Sequence, residues 1–448
     1  VITGSDFNSM AANNVVFFGA VRATVTAASA GSLSVTVPAA ASYGPVTVTV
    51  LPTNLTAISN AVFSPVFANA DTSAEFKFKE EAALLTAGDP RRSAIADFDG
   101  DGKADIAVTN LAANTVSLFR NMSGTSSITF NPKTDFATAN APFGISAADI
   151  TGDGKPDLIL THFPDFTVSN GIGVLKNIST PGNIAFADET GLSIAMQTHF
   201  RTIAVRDWDL NGKPDIAATD FVRFSNPGPS APVSILRNTG SGGNIAFSPA
   251  QDYLAATYNL DAMCAADVDD DGKTDLVVSG LYNRSVAILR NTSTGGVISF
   301  AQAGTYPIGY EPGGLTAGDA DGDGKPEILV TLKGYNVFAV FKNTSTPGNV
   351  SFAARQDINC GPDQEDIKLT DLDGDSRPDV VLTKRYSTAV HALAVYKNIS
   401  TAAAIAFQYQ NDLNRYANSP IIFMETIKTT DVIENIISPF KKVFQNLV

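Results

Sequence analysis

Short runs of apolar residues, rich in Val, Ile and Phe and separated by Gly, Asn and Asp, recur along most of the chain and predict strands. Six of these runs directly follow a cluster of acidic residues, and they read DIAVTN, DLILTH, DIAATD, DLVVSG, EILVTL and DVVLTK. A second run ends in Asn in each copy, as in VSLFRN and VAILRN. A further segment and a short apolar lead-in complete the copy, so the pattern predicts four short strands per repeat.

The acidic clusters set the period of this repeat. Their first residues are Asp97, Asp149, Asp207, Asp267, Asp319 and Asp371. Successive clusters therefore begin 52 to 60 residues apart. A four-stranded unit of about 50 residues that occurs six times predicts an all-β fold of the β-propeller type. A linear β-solenoid is disfavoured because its repeats are usually much shorter.

The two ends of the repeat region bear on the number of blades. The segment near 75–87 resembles the fourth strand of a unit but precedes the first cluster, and the C-terminal residues resemble a unit that lacks its cluster. We therefore predict seven blades, the last one degenerate and closed by the strand near 75–87, an arrangement that hides edge strands. Six blades followed by a helical tail are the alternative.

The first cluster, ADFDGDGKADIAV, has the spacing of a cation-binding loop. Asp97, Asp99 and Asp101 occupy positions 1, 3 and 5, a Gly occupies position 6, and Asp105 occupies position 9. Converging carboxylates suit Ca²⁺, which accepts about six to eight oxygen ligands. At position 7 we expect Lys103 to supply its backbone carbonyl and to leave its side chain in solvent. The loop lacks the Glu at position 12 of an EF-hand, and its flanks are strand-like.

Six such loops predict about six structural calcium sites. The predicted ligand positions are Asp97, Asp99, Asp101, Lys103 and Asp105; Asp149, Thr151, Asp153, Lys155 and Asp157; Asp207, Asp209, Asn211, Lys213 and Asp215; Asp267, Asp269, Asp271, Lys273 and Asp275; Asp319, Asp321, Asp323, Lys325 and Glu327; and Asp371, Asp373, Asp375, Arg377 and Asp379. Thr151 and Asn211 replace acids, so we expect weaker binding in the second and third loops. Ser376 replaces the Gly of the sixth loop and would be strained if that turn needs a positive φ.

These loops resemble the calcium loops of the FG-GAP/VCBS repeat family, whose propeller repeats also occur in integrin α-chain heads. Phe143-Gly144 is a remnant of the family's signature, and the resemblance covers about residues 75–448. It implies a calcium-binding propeller domain over 75–448. It also implies a secreted, extracellular or cell-surface location, most often in bacteria, where calcium reaches the millimolar concentrations that weak sites need.

Residues 1–67 resemble an IPT/TIG domain, a sandwich of the immunoglobulin type. The matching features are the ITGSDF start, the segment Asn14–Gly19, and Gly44 before the alternating run VTVTV. That alternation by itself also predicts a strand. The usual first strand of the family is missing, so we expect the chain to begin inside this domain.

Charge, hydropathy and cysteine content exclude several classes of function. The formal net charge of −14 argues against a nucleic-acid partner. Six Ca²⁺ ions, contributing +12, would bring this charge to −2, so much of the acidity is explained by the metal sites. No apolar run approaches the roughly 20 residues of a membrane span, so we expect a soluble chain without membrane insertion. Cys264 and Cys360 lie at different places in different repeats, and we expect no disulfide between them.

The sequence identifies no catalytic residue. The acidic pairs of the loops belong to a motif that occurs six times, whereas catalysis normally breaks a repeat at one place. We interpret His162, His199 and His391 as surface or loop residues, and Trp208 as a packing residue. Five N-x-S/T motifs close the third strand of their units, where turn chemistry explains them better than glycosylation. They begin at Asn121, Asn177, Asn291, Asn343 and Asn398.

Length varies between copies mainly in the connection from the second to the third strand. These connections carry aromatic and basic residues that should line one rim of the propeller: Phe163, Phe166, Phe221, Phe224, Tyr282, Arg284, Tyr335, Arg385 and Tyr386. Aromatic residues and Arg on a variable rim suit the binding of a polysaccharide or an extracellular protein. We therefore predict a non-catalytic adhesion or binding module. A polysaccharide lyase or hydrolase, or a purely structural spacer, is the alternative.

Overall fold

The computed structural model describes residues 1–38, 41, 44–63, 84–123, 129–163, 171–192, 200–220, 232–257, 259–362, 364–372, 375–385, 391–401 and 404–415. In this part of the chain, thirty strands form one six-stranded and six four-stranded sheets. The described helical structure is a single 3₁₀ turn, Ala11–Asn13. The predicted all-β fold, a propeller preceded by a sandwich of the immunoglobulin type, is confirmed.

The N-terminal sheet has the order β1-β4-β3-β2-β5-β6. Its strands are β1 (Ile2–Thr3), β2 (Asn14–Phe18), β3 (Val21–Ser29), β4 (Ser32–Thr36), β5 (Gly44–Val50) and β6 (Leu55–Phe63). The start of β3 pairs with β2 and its end pairs with β4, with a shift in register between Val25 and Ala27. The strand thereby joins two halves of the domain, which pack around Val16, Phe18 and Leu33.

Each propeller blade consists of four consecutive antiparallel strands. The first strands are β7 (Pro90–Ala96), β11 (Pro142–Ala148), β15 (Phe200–Arg206), β19 (Leu260–Ala266), β23 (Glu311–Gly318) and β27 (Gln364–Thr370). The second strands are β8 (Asp105–Asn110), β12 (Asp157–His162), β16 (Asp215–Asp220), β20 (Asp275–Gly280), β24 (Glu327–Lys333) and β28 (Asp379–Arg385). The third strands are β9 (Thr115–Phe119), β13 (Ile172–Leu175), β17 (Pro232–Leu236), β21 (Ser285–Asn291), β25 (Val337–Phe341) and β29 (His391–Asn398). The fourth strands are β10 (Thr134–Ala137), β14 (Thr190–Leu192), β18 (Gln251–Leu254), β22 (Phe300–Pro307), β26 (Gln356–Asn359) and β30 (Phe407–Arg415).

The first strands of successive blades pack side by side, from β7 against β11 to β23 against β27, and so surround the central channel. No packing of comparable extent joins β27 back to β7. The described residues thus form six blades. Residues 84–87, part of the predicted closing strand, form no strand, and the other residues predicted for the seventh blade lie outside the described ranges.

Side chains between the blades form the hydrophobic core. Position 2 of each acidic loop points into this core, and its residues are Phe98, Ile150, Trp208, Val268, Ala320 and Leu372. Trp208 is fully buried and packs edge-on against Phe300 of the next blade, with ring centroids 5.7 Å apart. The predicted packing role of Trp208 is confirmed, because a side chain without exposed surface offers no platform for a ligand.

The Asn that closes each third strand links neighbouring blades. Asn291 donates from Nδ2 to the carbonyl oxygen of Trp208, in the preceding blade, at 2.9 Å, and to that of Thr274 at 3.1 Å. Its Oδ1 accepts the Ser293 amide at 2.9 Å. Bonds to the preceding blade recur at Asn177, Asn238, Asn343 and Asn398. Because these Asn side chains are buried, the interpretation of the N-x-S/T motifs as turn elements is confirmed.

The two faces of the propeller carry different connections. The acidic loops join first to second strands on one face, and the variable loops join second to third strands on the opposite face. The N-terminal domain lies on the face of the acidic loops. The Asp97 amide donates to the Ala20 carbonyl oxygen at 2.9 Å, and the Thr49 hydroxyl donates to Asp149 at 2.9 Å. The rim with the variable loops therefore faces away from the N-terminal domain.

Charged side chains at the starts of first strands, together with Lys333 at the end of β24, connect neighbouring blades. Arg201 forms an ion pair with Asp261, and Lys333 Nζ lies 3.3 Å from the same carboxylate, so three blades are connected. The Arg92 guanidinium carbon lies 4.9 Å from the ring centroid of Phe143 on the neighbouring blade. Burial lowers the pKa of Arg92 to about 9. Buried charged groups thus contribute to the contacts between blades.

Substituting Asn291→Ala should lower the free energy of unfolding by about 3 kcal/mol. The change leaves two buried carbonyl groups and one amide without their partner, and each such loss costs about 1 to 3 kcal/mol before relaxation. Urea denaturation of the purified chain measures the effect. Asn131→Ala is the matched control, because Asn131 is exposed and should change stability by less than about 0.5 kcal/mol. Equal effects of the two substitutions would contradict the role of Asn291 between blades.

Candidate metal centres

Each acidic loop folds around the carboxylate at its first position. In the first loop, Asp97 accepts the amide of Asp101 at 3.0 Å on one oxygen and the amide of Gly102 at 2.9 Å on the other. Asp101 in turn accepts the Lys103 amide at 3.0 Å. The same three bonds recur in the second, third, fourth and sixth loops. Backbone amides therefore hold the acidic side chains on the inside of the turn.

The sixth position of the loop requires a left-handed backbone. Gly102 has φ +86°, and Ser376 has φ +68° at the same place in the sixth loop. The strain predicted for Ser376 is confirmed, because residues with a Cβ disfavour this region. Leu210 at position 4 of the third loop is a second such case, with φ +58° and an exposed side chain.

In four loops, three carboxylates each place one oxygen within 4.8 Å of the other two. The clusters are Asp97, Asp99 and Asp101; Asp207, Asp209 and Asp215; Asp267, Asp269 and Asp271; and Asp319, Asp321 and Glu327. Asp269 also has a buried Oδ1 without a hydrogen-bond partner among the described residues. Hard oxygens that converge at this distance fit a divalent cation such as Ca²⁺.

Burial makes several of these carboxylates weak acids while no cation neutralises them. It raises the pKa of Asp97 to about 7 and that of Asp105 to about 8, and neighbouring carboxylates in the loop add to the effect. In other loops, burial raises the pKa of Asp275 and of Glu327 to about 7. The folded loops therefore favour either protons or a cation at neutral pH.

The carboxylate at position 9 connects the loop to the third strand. Asp105 accepts the Phe98 amide at 3.0 Å and the Asn121 amide at 2.8 Å, one on each oxygen. Equivalent pairs of bonds occur in the other five blades. The predicted loop-closing position is thus also a structural link, which explains why an acid is needed there even apart from a cation.

Sequence reasoning missed a basic residue that precedes the Asn of every third strand. These residues are Arg120, Lys176, Arg237, Arg290, Lys342 and Lys397. Arg120 donates to Asp99 at 2.5 Å and to Asp101 at 2.6 Å, and Arg290 pairs with both Asp269 and Asp271. The recurring dipeptide Arg-Asn or Lys-Asn was the available signal. The carboxylates are therefore partly neutralised by the protein itself, and a divalent cation is not their only counter-charge.

The expectation that position 7 leaves its side chain in solvent is wrong in three loops. Lys155 donates to the carbonyl oxygen of Ser179 at 2.8 Å, Lys213 to that of Gly240 at 2.7 Å, and Lys325 to that of Ser345 at 2.6 Å. These carbonyl groups belong to the connection between the third and fourth strands of the same blade. The long side chain thus ties two connections together instead of extending into water.

The second and sixth loops differ from the other four. In the second, Asp149, Asp153 and Asp157 do not bring three oxygens together within 4.8 Å, and Thr151 places a buried hydroxyl at position 3. In the sixth, Asp373 lies outside the described residues. The predicted ligand set is thus assembled as a carboxylate cluster in four of the six loops, counted over the described residues.

The predicted rim residues that the structure describes differ in exposure. Tyr282 is 70% exposed and Tyr335 is 44% exposed. Tyr335 packs against Tyr310, which precedes the fifth blade, and Arg284 donates to the carbonyl oxygen of Gly309 at 3.3 Å. Phe163 packs on Phe143, with ring centroids 5.8 Å apart. Phe166, Phe221, Phe224 and Tyr386, and the side chain of Arg385, lie outside the described residues.

The interpretation of His162 as a surface or loop residue is wrong. His162 ends β12 and is 4% exposed. Its ring nitrogens lie 2.8 Å from Glu189 Oε1 and 3.0 Å from the carbonyl oxygen of Asn140. It is a satisfied core residue. His199 and the side chain of His391 lie outside the described residues, and Cys264 and Cys360 are free thiols, as expected.

Comparisons with known proteins agree with this architecture. The model of the FG-GAP-like repeat matches residues 97–160, 207–278 and 267–330, and the model of the IPT/TIG domain matches residues 1–65. A search of the curated proteins gave no match. The described part of the chain contains no helix with the length and hydrophobicity of a membrane span.

Among solved structures, a protein from Lactobacillus plantarum is similar over 89% of this chain and 95% of its own, with 12% identity and a TM-score of 0.50. The N-terminal part of BBS1 in complex with ARL6 is similar over 75% of this chain and 86% of its own, with 12% identity and a TM-score of 0.43. Rhamnogalacturonan lyase YesW is similar over 73% of this chain and 70% of its own, with 14% identity and a TM-score of 0.36.

Identities this low bear on the fold alone and leave the chemistry of the chain to its own residues. The six four-stranded sheets, the acidic loop between the first and second strand of each, and the two family models lead to one conclusion. The chain carries FG-GAP-like repeats on a β-propeller fold and an N-terminal IPT/TIG domain.

Proposed function

We propose that this protein is a secreted or cell-surface, calcium-stabilised propeller that binds a polysaccharide on the rim opposite its N-terminal domain, without catalysing a reaction. The observation that carries the proposal is the separation of two features on opposite faces. The carboxylate clusters lie on one face, and the exposed Tyr282 and Tyr335 lie on the other. A stabilising element and a recognition surface can then act without interfering with each other.

Calcium is the cation that these loops suit best, because they offer carboxylate and backbone oxygens and neither thiolates nor imidazoles. A bound ion would neutralise the converging carboxylates and cross-link both ends of the loop. In the first loop, Asp97, Asp99 and Asp101 would hold the ion. In the fourth loop, Asp267, Asp269 and Asp271 would hold it, and the buried Oδ1 of Asp269 would gain a partner. Millimolar extracellular calcium would saturate even weak sites, which supports a location outside the cell.

The rim around the fourth and fifth blades suits a sugar chain. Tyr282 and Tyr335 each combine an apolar ring face with a hydroxyl group, and the contact with Tyr310 restrains Tyr335. Arg284 adds hydrogen-bond donors beside them. A non-catalytic role is supported by the acidic residues, because those of the loops recur from blade to blade and hold backbone amides.

Calcium should raise the melting temperature of metal-free protein, because a ligand that binds the folded state alone stabilises it by mass action. At a free concentration 100 times the Kd, each site adds about 2.7 kcal/mol. Differential scanning calorimetry with and without CaCl₂, together with native mass spectrometry to count the ions, measures both quantities. Mg²⁺ is the control ion, and unchanged melting with no bound calcium would rule out the proposed sites.

The effect of calcium on stability should depend on pH. Burial raises the pKa of Asp97 to about 7 and of Asp215 to about 8 in the folded state, above the value near 4 of an unfolded chain. The metal-free folded state therefore binds more protons than the unfolded state, and its stability should fall as the pH rises from about 4 to 8.

Calcium competes with these protons, so the difference in melting temperature between calcium-loaded and metal-free protein should be larger at pH 8 than at pH 5.5. Metal-free protein prepared by dialysis avoids the pH dependence of chelators. If the difference in melting temperature stays constant over this range, or is larger at pH 5.5, the carboxylates with raised pKa do not take part in binding calcium.

Substituting Tyr335→Ala should weaken polysaccharide binding at least tenfold and should change the melting temperature no more than Tyr409→Ala does, because both side chains are about half exposed and pack on one neighbouring Tyr ring. A glycan array selects the best-bound oligosaccharide, and isothermal titration calorimetry then gives the Kd. Tyr409→Ala is the matched control, since Tyr409 is 50% exposed on the outer strand of the sixth blade. Equal losses in both variants would place binding elsewhere, and cleavage of the oligosaccharide would replace the proposal with an enzymatic function.

A further inference from the structure

The first carboxylate of the second loop accepts a hydrogen bond from a side chain of the N-terminal domain, whereas, within the described part of the chain, the first carboxylate of the fourth loop does not. Asp149 Oδ2 accepts both the Gly154 amide at 2.9 Å and the hydroxyl of Thr49, from the N-terminal domain, at 2.9 Å. In the fourth loop, Asp267 accepts two backbone amides, at 3.1 and 2.9 Å, and no side chain among the described residues. The domain thus supplies a hydrogen-bond donor to the carboxylate that begins the second loop.

The N-terminal domain also occupies the space above this loop. A Cβ atom added to Gly152 would lie 2.3 Å from the carbonyl oxygen of Asn54, and one added to Gly154 would lie 2.8 Å from Val15 Cγ2. Both glycines are buried. Gly322, at the matching position of the fifth loop, is exposed and has no atom within 4 Å of an added Cβ.

The side chains at the ligand positions of the second loop also differ from those of the other loops. Thr151 supplies a hydroxyl where the first, third, fourth and fifth loops supply a carboxylate, and the remaining acids do not form a cluster. The loop has therefore lost the charge that favours a cation, while its first carboxylate has gained a donor from another domain.

We propose that the second loop is the docking site of the N-terminal IPT/TIG domain and binds no calcium. Contacts with both neighbouring loops flank this docking site. The Asp97 amide of the first loop donates to the Ala20 carbonyl oxygen at 2.9 Å, and the Thr56 amide donates to the carbonyl oxygen of Gly212 in the third loop. One domain thereby spans three blades and is fixed at its centre by Asp149.

A pair of matched substitutions tests this assignment. Asp149→Ala and Asp267→Ala each remove the first carboxylate of a loop and its two bonds to backbone amides. We expect Asp149→Ala to speed hydrogen exchange at the Thr56 amide at least tenfold and to leave the number of bound calcium ions unchanged. Asp267→Ala should remove one ion and leave the exchange of Thr56 unchanged. Hydrogen exchange and native mass spectrometry in CaCl₂ provide the two readouts.

A second pair keeps the test decisive if an Asp variant does not fold. Gly152→Ala and Gly322→Ala impose similar backbone strain, with φ +68° and +80°, but only the former meets the N-terminal domain. Only Gly152→Ala should speed exchange at Thr56. Loss of one ion in Asp149→Ala with normal exchange at Thr56, or equal exchange in the two Gly variants, would overturn the assignment.

The ion count rests on the calcium proposed for the other loops, whereas the exchange readout does not. If the chain binds no calcium, the proposed metal function fails and the exchange rates of Gly152→Ala and Gly322→Ala still decide the docking site.

Discussion

The structure depends on the repulsion between carboxylates that each acidic loop brings together and on the groups that offset it. Backbone amides of the loop bind the first carboxylate, as the amides of Asp101 and Gly102 bind Asp97. A basic residue of the third strand binds the outer acids, as Arg120 binds Asp99. The loop can therefore form before any cation is present, and a cation would complete a site that the backbone has already shaped.

The same loops hold the ring of blades together. Asp275 at position 9 accepts the Asn291 amide at 2.7 Å, and the side chain of Asn291 donates to Trp208 in the preceding blade. A change in an acidic loop is thus transmitted to the contact between blades through two hydrogen bonds. Stabilisation of these loops by calcium would for this reason stiffen the propeller as a whole and support the opposite rim.

The two faces of the propeller carry different features. One face carries the acidic loops and the N-terminal domain, whose Thr49 reaches Asp149. The other face carries the variable loops, with the exposed Tyr282 and Tyr335. These loops can change in length because they connect two strands without forming a turn around a carboxylate. The second loop, whose described acids form no three-carboxylate cluster, is the one whose first carboxylate accepts a hydrogen bond from the N-terminal domain.

The sequence by itself determined the strands, the four-stranded repeat, the acidic loops and the strain at Ser376, because these follow from local periodicity and from the backbone needs of a short turn. It did not place His162 in the core, Lys155 against Ser179, or Thr49 on the second loop. Those contacts join segments about 20 to 100 residues apart. The packing of blade against blade decides which distant polar groups meet, since hydrophobic spacing reports burial and not partners.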